Sequence, residues 1–155
     1  MPAASHYFPV FETLMGTKTV NLSSDTLTVG LIASGTFTWG STPEGYEYVS
    51  QFLAGDGTHG SLTEVSTSGT GYTRQNLTSV SFSAAGETVT LTSANPSWSS
   101  AAFTTVYGFV YDATVGSGDS SHPIILYWDW GGAQSPAGIT WTITLNPSLV
   151  VWTGQ

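Results

Sequence analysis

The sequence predicts an all-β protein that folds as one antiparallel domain of the β-sandwich or jelly-roll type. Thr, Ser, Gly and aromatic residues are abundant, whereas Lys and Arg together number only two of 155 residues. That composition is typical of strands and tight turns. Apolar residues also recur with a period of two, which places one face of a strand on a core and the other on solvent or a neighbour. Because a chain of this length buries a self-sufficient core, we expect a single domain.

The alternation is clearest in three segments, where Thr or Gly fills the positions between the apolar residues. The apolar positions are Leu27, Val29 and Leu31 in the first, Val89 and Leu91 in the second, and Ile139, Trp141, Ile143 and Leu145 in the third. Each segment predicts a strand with one apolar face, because helical spacing would scatter these residues around the axis. With a short closing strand at 149–152, roughly eight strands separated by turns about every 8–12 residues indicate a sandwich or jelly roll.

Two further segments, 103–111 and 124–130, are apolar at nearly every position. In the second segment, alternation assigns Ile124, Leu126, Trp128 and Trp130 to one face and Ile125, Tyr127 and Asp129 to the other. Strands of this kind lie either at the centre of a sandwich or at a contact between subunits, and both alternatives stay open. The glycine-rich stretch between them, 113–123, predicts a loop.

The first third of the chain is less regular. Phe37 and Trp39 precede a turn-like stretch, residues 46–53 form either a short helix or an irregular wall, and 55–60 predict a loop. We divide the chain into an N-terminal arm, residues 1–18, and a β-sandwich domain, residues 19–155.

The arm carries three aromatic residues, Tyr7, Phe8 and Phe11. They make it a candidate for docking onto a partner protein. The alternative is that the arm forms a strand of the same sandwich.

The charge inventory excludes several classes of partner. Lys18 and Arg74 are the only cations, against ten carboxylates, for a formal net charge of −8. Two cations cannot neutralise a run of phosphates, so we expect no nucleic acid partner, and an anionic membrane surface would repel the chain. The absence of Cys excludes disulfides and thiolate metal sites. No apolar run approaches the roughly 20 residues of a membrane span, and residues 1–11 lack the pattern of a signal peptide, so assembly in a cytoplasm is expected.

Three patterns raise the possibility of catalysis, and each fails on context. Residues 55–60 match G-x-G-x-x-G, but residues 61–65 look like a strand where the dinucleotide fingerprint needs a helix. The run 119–122 combines Asp, Ser and His, but neighbours in one loop rarely reach the geometry of a triad. Asp112 and Asp129 are the best candidates for a glycosidase pair, on position alone. We therefore expect no enzyme, no catalytic residue and no cofactor.

The sequence predicts no metal site. His6, His59 and His122 are too far apart in sequence to supply the paired ligands of a zinc site. Asp56 and Glu64 flank a glycine loop but lack the ligand density of a calcium loop.

Twenty residues are Trp, Tyr or Phe, and two of them, Trp128 and Trp130, are two positions apart on one predicted strand. An aromatic platform of this kind can stack on sugar rings. The same residues can fill a core or a subunit interface, and we favour the core or interface interpretation.

The order of several strand-and-turn motifs resembles a group of small virion proteins of tailed phages. The motifs are D-T-L-T-V-G-L at 25–31, E-V-S at 64–66 followed by G-T-G-Y-T-R at 69–74, Trp98 before 103–111, P-I-I-L-Y-W-D-W-G at 123–131, and T-W-T-I-T-L-N at 140–146. The resemblance covers roughly residues 20–152. Members of this group look like head decoration, fibre or other structural proteins, and the resemblance offers no catalytic residue to carry over.

The resemblance implies a capsid decoration protein, a homotrimer that binds the major capsid protein or other virion proteins within the particle. The alternative is a tail, fibre or baseplate component that binds host glycans. The candidate interface residues are Tyr7, Phe8, Phe11, Phe37, Trp39, Trp128 and Trp130.

Overall fold

A computed structural model of the chain describes residues 4–35, 46–55, 60–85, 88–145 and 149–153. Within these ranges the chain forms strands and two short helices, which confirms the all-β prediction. In chain order they are β1 (Ala4–Tyr7), α1 (Pro9–Gly16), β2 (Leu27–Ser34), α2 (Val49–Ala54), β3 (Thr63–Glu64), β4 (Gln75–Asn76), β5 (Ser81–Ala85), β6 (Thr88–Thr92), β7 (Ser97–Ala101), β8 (Thr105–Asp112), β9 (Ile124–Gln134), β10 (Ile139–Thr142) and β11 (Leu149–Thr153).

The strands form three sheets, and every pairing between them is antiparallel, as predicted. The largest sheet has the order β1-β9-β8-β2-β3, and β4 also pairs with β2. Strands β10 and β7 form a second sheet, and β11, β6 and β5 form a third. The two most apolar segments of the sequence, β8 and β9, are therefore neighbours at the centre of the largest sheet.

Both faces of the largest sheet are covered by the chain itself, because adjacent residues of its strands belong to two separate core clusters. The first cluster includes Val29, Leu31, Val110, Leu126 and Trp128 from the sheet, under Tyr72, Leu91, Trp98, Ile143 and Leu145. The second includes Ile32, Phe109, Tyr111 and Tyr127, under Phe8, Tyr46, Val49, Phe52 and Leu62. Strands β8 and β9 therefore lie at the centre of a sheet, which is one of the two alternatives predicted for strands that are apolar on both faces.

A bulge at the start of β9 changes the predicted face of two residues. Val110 pairs with Leu126, but the next residue of β8, Tyr111, pairs with Ile124. The extra residue in β9 turns Ile124 into the second cluster and Ile125 into the first. The assignment of these two residues from strict alternation was therefore wrong.

A second bulge affects the segment 139–145, which was predicted as one alternating strand. Ile139 pairs with Ala101 and Trp141 pairs with Trp98, so β7 contains one extra residue there. Ile143 and Leu145 are buried as expected, whereas the side chain of Ile139 is 59% exposed. Ile139 is the first residue of β10, which ends at Thr142, and the extra residue lies in the paired strand β7.

The N-terminal segment joins the largest sheet. Strand β1 pairs with β9 along its whole length, and Phe8 is fully buried in the second cluster. The predicted arm 1–18 was expected either to dock onto a partner or to form a strand of the same domain. In the structure, residues 4–7 form a strand of the largest sheet, and the helix α1 follows. Residues 49–54 form the helix α2, the helical alternative for that region, and 113–122 lie outside regular structure, as expected for the predicted loop.

Two glycines on the central strands lie directly beneath aromatic rings of the paired strand. Gly30 pairs with Phe109, and a Cβ atom at Gly30 would lie 2.2 Å from that ring. Gly108 pairs with Trp128, and its Cβ atom would lie 2.1 Å from the indole. Each ring thus occupies the space that a side chain on the facing residue would need.

We predict that Gly108→Ala destabilises the protein by about 1–3 kcal/mol, because the added methyl group forces Trp128 out of its position in the core. Urea unfolding of the variant and the parent measures the difference. The matched control is Gly16→Ala at the end of α1, where a Cβ atom meets nothing within 4 Å. A Gly108→Ala variant as stable as this control would contradict the packing described.

Candidate functional site

The most concentrated group of charged residues in the described structure surrounds the side chain of Arg74. Its Nε and one Nη atom donate to the two carboxylate oxygens of Glu64, each at 2.7 Å. Its Nη1 and Nη2 atoms donate to the two oxygens of Asp119 at 2.5 and 2.7 Å. One guanidinium therefore holds two carboxylates in bidentate geometry, which is the arrangement that gives strong, directional ion pairs. We call Glu64, Arg74 and Asp119 the arginine cluster.

Aromatic rings support the guanidinium from below. Its central carbon lies 5.1 Å from the ring centre of Tyr111 and 5.6 Å from that of Phe109, within the range of a cation–π contact. Burial by itself lowers the pKa of Arg74, but the hydrogen bonds to Glu64 and Asp119 outweigh burial and raise that pKa above its ordinary value. The same hydrogen bonds hold the pKa of Asp119 below its ordinary value. Arg74 and Asp119 are therefore both charged at neutral pH.

The segment that presents Arg74 is fixed by its own packing. Tyr72 is buried, and its hydroxyl accepts a hydrogen bond from the Leu31 amide at 2.9 Å and donates to Glu64 at 2.7 Å. The indole of Trp98 stacks on Tyr72 and donates to the Thr73 carbonyl at 2.6 Å. Burial and the charge of Glu64 raise the pKa of Tyr72, so this hydroxyl keeps its proton.

Gly71 allows the segment to approach strand β7. Its φ is +70°, and a Cβ atom there would lie 2.6 Å from the carbonyl oxygen of Ser100. Only glycine fits this position without strain. The G-x-G-Y-x-R sequence thus has a structural reason, because it turns the chain against β7 and directs Tyr72 and Arg74 towards Glu64.

The loop between β8 and β9 is tied to helix α2 as well as to Arg74. The carbonyl groups of Asp119 and His122 accept hydrogen bonds from the amides of Ser50 and Val49 at 2.9 and 3.1 Å. These amides begin α2 and have no partner within the helix, so the loop carbonyls satisfy them. The imidazole of His122 stacks on Tyr111 at 5.3 Å. The arginine cluster therefore connects β3, the 71–74 segment, the loop and α2.

The residues 119–122 do not form a catalytic triad. Asp119 is bound by Arg74, and the nearest approach of its carboxylate to His122 Nδ1 is 3.9 Å. The hydroxyl of Ser121 donates to the Gly118 carbonyl and accepts from the Ser117 amide. His122 Nε2 accepts from the Gly118 amide, not from a hydroxyl. The polar groups of this run stabilise the loop, as a turn of this composition does.

The candidate glycosidase pair is not brought together. Asp112 is fully buried, whereas Asp129 is exposed and pairs with Tyr107, at the opposite end of β8. The five residues that separate Tyr107 from Asp112 correspond to about 16 Å along a strand. The separation that a glycosidase needs is about 5–10 Å, so this pair does not have it.

Two of the seven candidate docking residues are corrected by the structure. Phe8 is fully buried, with its ring edge-on to Tyr46 and Phe52. Trp128 is fully buried over Gly108. Neither side chain reaches a surface, because the largest sheet uses both as core. The prediction that they contact a partner was wrong for this fold.

The other five candidates are distributed over the chain. Tyr7 ends strand β1 and Phe11 lies in helix α1. Trp130 is partly buried against the first cluster, edge-on to Trp128 and Trp141. Phe37 and Trp39 lie outside the described residues.

Two features are absent from the described residues. No group of three or more His, Asp or Glu side chains converges there in a way that would hold a metal ion. No helix in these ranges is long and apolar enough to cross a membrane. The predicted glycine loop 55–60, with His59, falls largely outside them.

Sequence reasoning did not find the arginine cluster. Its signal was present in the composition, because Arg74 is one of only two cations beside ten carboxylates. It was also present in the resemblance, where Glu64, Tyr72 and Arg74 occur in one motif. Asp119 was considered only as part of a triad, and nothing in its local sequence indicates a partner 45 residues away.

We predict that Arg74→Lys lowers the free energy of unfolding by about 1–3 kcal/mol, because an ammonium group cannot bind two carboxylates in bidentate geometry. Partial exposure of the cluster keeps the loss below that of a fully buried pair. Urea unfolding measures it.

The matched control for this substitution is Lys18→Asn, which removes the only other cation of the chain. Lys18 is exposed and has a φ of 60°, a conformation that Asn tolerates. We expect the control to change stability by less than about 0.5 kcal/mol. Equal effects of the two substitutions would contradict a structural role for the arginine cluster.

Comparisons with known proteins add no relative to this description. No family model, no curated protein and no solved structure matches the chain. Any function therefore has to be argued from the chain's own residues and from the order of its motifs.

Proposed function

We propose that this chain is a structural protein of a tailed-phage virion, a capsid decoration protein that binds the outer surface of the head as a trimer. One observation carries the proposal. The motifs that resemble the phage virion group coincide with the residues that hold this fold together: Glu64, Tyr72 and Arg74 form one hydrogen-bonded network, and 123–131 contains the central strand β9. Because the matching residues stabilise the fold, the resemblance supports a shared architecture and not only matches at isolated positions.

The chemistry of the described surface supports a structural role. Pairs of hydroxyl groups bridge neighbouring strands in the two smaller sheets, as between Ser83 and Thr90 at 2.8 Å and between Ser97 and Thr142 at 2.9 Å. Arg74 is committed to Glu64 and Asp119, so Lys18 is the one remaining cation of the sequence. The proposed attachment to the shell therefore uses apolar and hydroxyl contacts in place of ion pairs.

The proposed mechanism is mechanical. A protein that binds across neighbouring capsid subunits buries area that only the assembled shell offers. Binding of this kind stabilises the assembled shell, because the decoration protein binds that state and not the free subunits. The stabilisation grows with the logarithm of the ratio between the concentration of free decoration protein and its dissociation constant. No covalent chemistry is required of the chain.

A tail, fibre or baseplate component that binds host glycans is the second candidate function. One observation favours it. Trp130 of β9 and Trp141 of β10 are partly buried neighbours with ring centres 5.6 Å apart, and the exposed Ile139 lies two residues before Trp141 on β10. Partly exposed indole rings are the groups that stack on sugars. Trp128, the other tryptophan considered for this role, is buried and does not contribute.

We predict that virions keep this protein when they are washed in about 1 M NaCl, because salt at that concentration screens ion pairs but strengthens apolar contacts only slightly. Quantitative gel analysis of washed particles measures the retained copies. A known ion-pair-dependent virion protein from the same particle serves as the control. Loss of this protein at high salt would contradict the attachment proposed.

Copy number separates the two candidate functions. Decoration of the head predicts on the order of hundreds of copies per particle in trimeric groups, as closed symmetry on a shell requires. A tail component predicts a handful or dozens. A density map of the intact particle gives location, copy number and oligomeric state together. A map that places the chain only in the tail would overturn the decoration proposal in favour of the second candidate.

A further inference from the structure

A buried carboxyl group lies at the end of strand β8, away from the arginine cluster. The side chain of Asp112 is completely shielded from solvent. Its Oδ1 atom accepts a hydrogen bond from the Thr114 amide at 2.8 Å, but no donor among the described residues reaches its Oδ2 atom. An ionised carboxylate with a shielded, unpaired oxygen is costly, so this group needs a partner that supplies a proton or a positive charge.

The group beside it is a second carboxyl, that of Asp25, which lies within hydrogen-bond reach of Asp112. Asp25 closes the turn before β2, where its Oδ2 atom accepts a hydrogen bond from the Asn21 amide at 2.5 Å. The pKa of Asp112 is raised to about 6, mainly by burial and in addition by the hydrogen bond and negative charge of Asp25. Amide hydrogen bonds from Thr114 and Val115 act in the opposite direction.

Among the described residues, no cation is one of the causes that shift the pKa of Asp112, and the ion pairs of Arg74 and His122 do not involve Asp25 or Asp112. Leu27 of β2 lies opposite Asp112, and the Asp112 amide donates to Pro123 at the start of β9. Arg74 and His122 face the neighbouring residue, Tyr111, from the second cluster. Strand alternation directs Tyr111 and Asp112 to opposite faces of the sheet, so both basic groups lie across the sheet from the carboxyl pair.

The pair joins two segments that are also connected through their backbones. The Ala113 amide donates to the Thr26 carbonyl at 2.9 Å, and the Thr26 amide donates to the Thr114 hydroxyl at 2.7 Å. These bonds hold the turn 21–26 against residues 112–115. Two negative charges at this contact would separate the segments, whereas one shared proton would join them.

We propose that Asp25 and Asp112 share one proton, and that this shared proton fastens the turn 21–26 to the end of β8 as a pH-sensitive clasp. One carboxyl group donates and the other accepts, which pairs the buried oxygen that has no other donor. When the proton leaves, the same two groups repel each other inside the protein. The clasp is therefore closed in mild acid and strained at neutral and alkaline pH.

The sign of the pH dependence follows from linkage. The folded state binds the proton of Asp112 more tightly than the unfolded chain, whose ordinary pKa is 3.8. The stabilisation is therefore complete below that value and is lost as the pH rises through about 6. Most acidic side chains act in the opposite direction, so this contribution is recognisable in a pH profile.

A proton fits the pair better than a divalent cation does. Calcium takes six to eight oxygen ligands, and the nearby oxygens are already engaged. Asn21 Oδ1 accepts from Ser23, and the Thr114 hydroxyl accepts from the Thr26 amide. Two carboxyl groups alone do not complete a calcium shell.

The substitution Asp112→Asn tests the proposal. The amide keeps the shape of the carboxyl group, offers a permanent donor to Asp25 and retains an acceptor for the Thr114 amide. We expect the melting temperature of the parent protein to fall between about pH 4 and pH 6, and that of the variant to lose this fall. At about pH 8 the variant's unfolding equilibrium constant is expected to be up to about 100-fold smaller than the parent's, the equivalent of a two-unit change in pKa.

Asp129→Asn is the matched control, because it removes one exposed carboxylate elsewhere on the sheet and should keep the parent's profile. Asp25→Asn is the second test variant, and its fall between about pH 4 and pH 6 should be smaller than the parent's, because burial of Asp112 remains when the Asp25 charge is removed. A parent profile without that fall would overturn the proposal, as would an Asp112→Asn variant less stable than the parent at about pH 8. Millimolar CaCl2, compared with EDTA, should stabilise neither the parent nor Asp112→Asn. If CaCl2 stabilised the parent alone, the pair would hold a bound cation, and the shared proton would be wrong.

Discussion

Burial of strands β8 and β9 on both faces is the constraint on which the rest of this structure depends. Neither face of this strand pair is exposed to solvent, because other elements of the chain pack against each face. The smaller sheets and the 71–74 segment cover the first face, and Phe8, α2 and Leu62 cover the second. Facing glycines leave room for two of the rings, which explains how so many large aromatic side chains fit around one strand pair.

Polar groups at the ends of β8 are each satisfied in a different way. Near the second face, Arg74 binds two carboxylates and rests on aromatic rings. Near the first face, the proposed proton joins the carboxyl groups of Asp25 and Asp112 below about pH 6, with no cation. Both solutions meet the requirement that a charge removed from water must have a partner. They also tie loops to the sheet at the places where the strands end, which limits how far those loops can move.

The sequence predicts the elements of this fold better than their partners. Alternation located β2 and the core side of β6, and the apolar runs located β8 and β9. The face of Ile124 was missed because a bulge depends on the register of the paired strand, which the local sequence does not contain. The contacts of Arg74 with Asp119 and of Asp25 with Asp112 were missed for a similar reason, since each pair is brought together only when the sheet has formed.

The position of Arg74 has a consequence for the behaviour of the free protein. With this cation bound internally to two carboxylates, the remaining charge of the chain is almost entirely of one sign. Copies that meet in dilute solution therefore repel each other at distances up to the Debye length, about 8 Å at physiological ionic strength. Chance contacts between copies therefore stay brief, and the colloidal stability of the free protein comes from the carboxylates that Arg74 and Lys18 leave unbalanced.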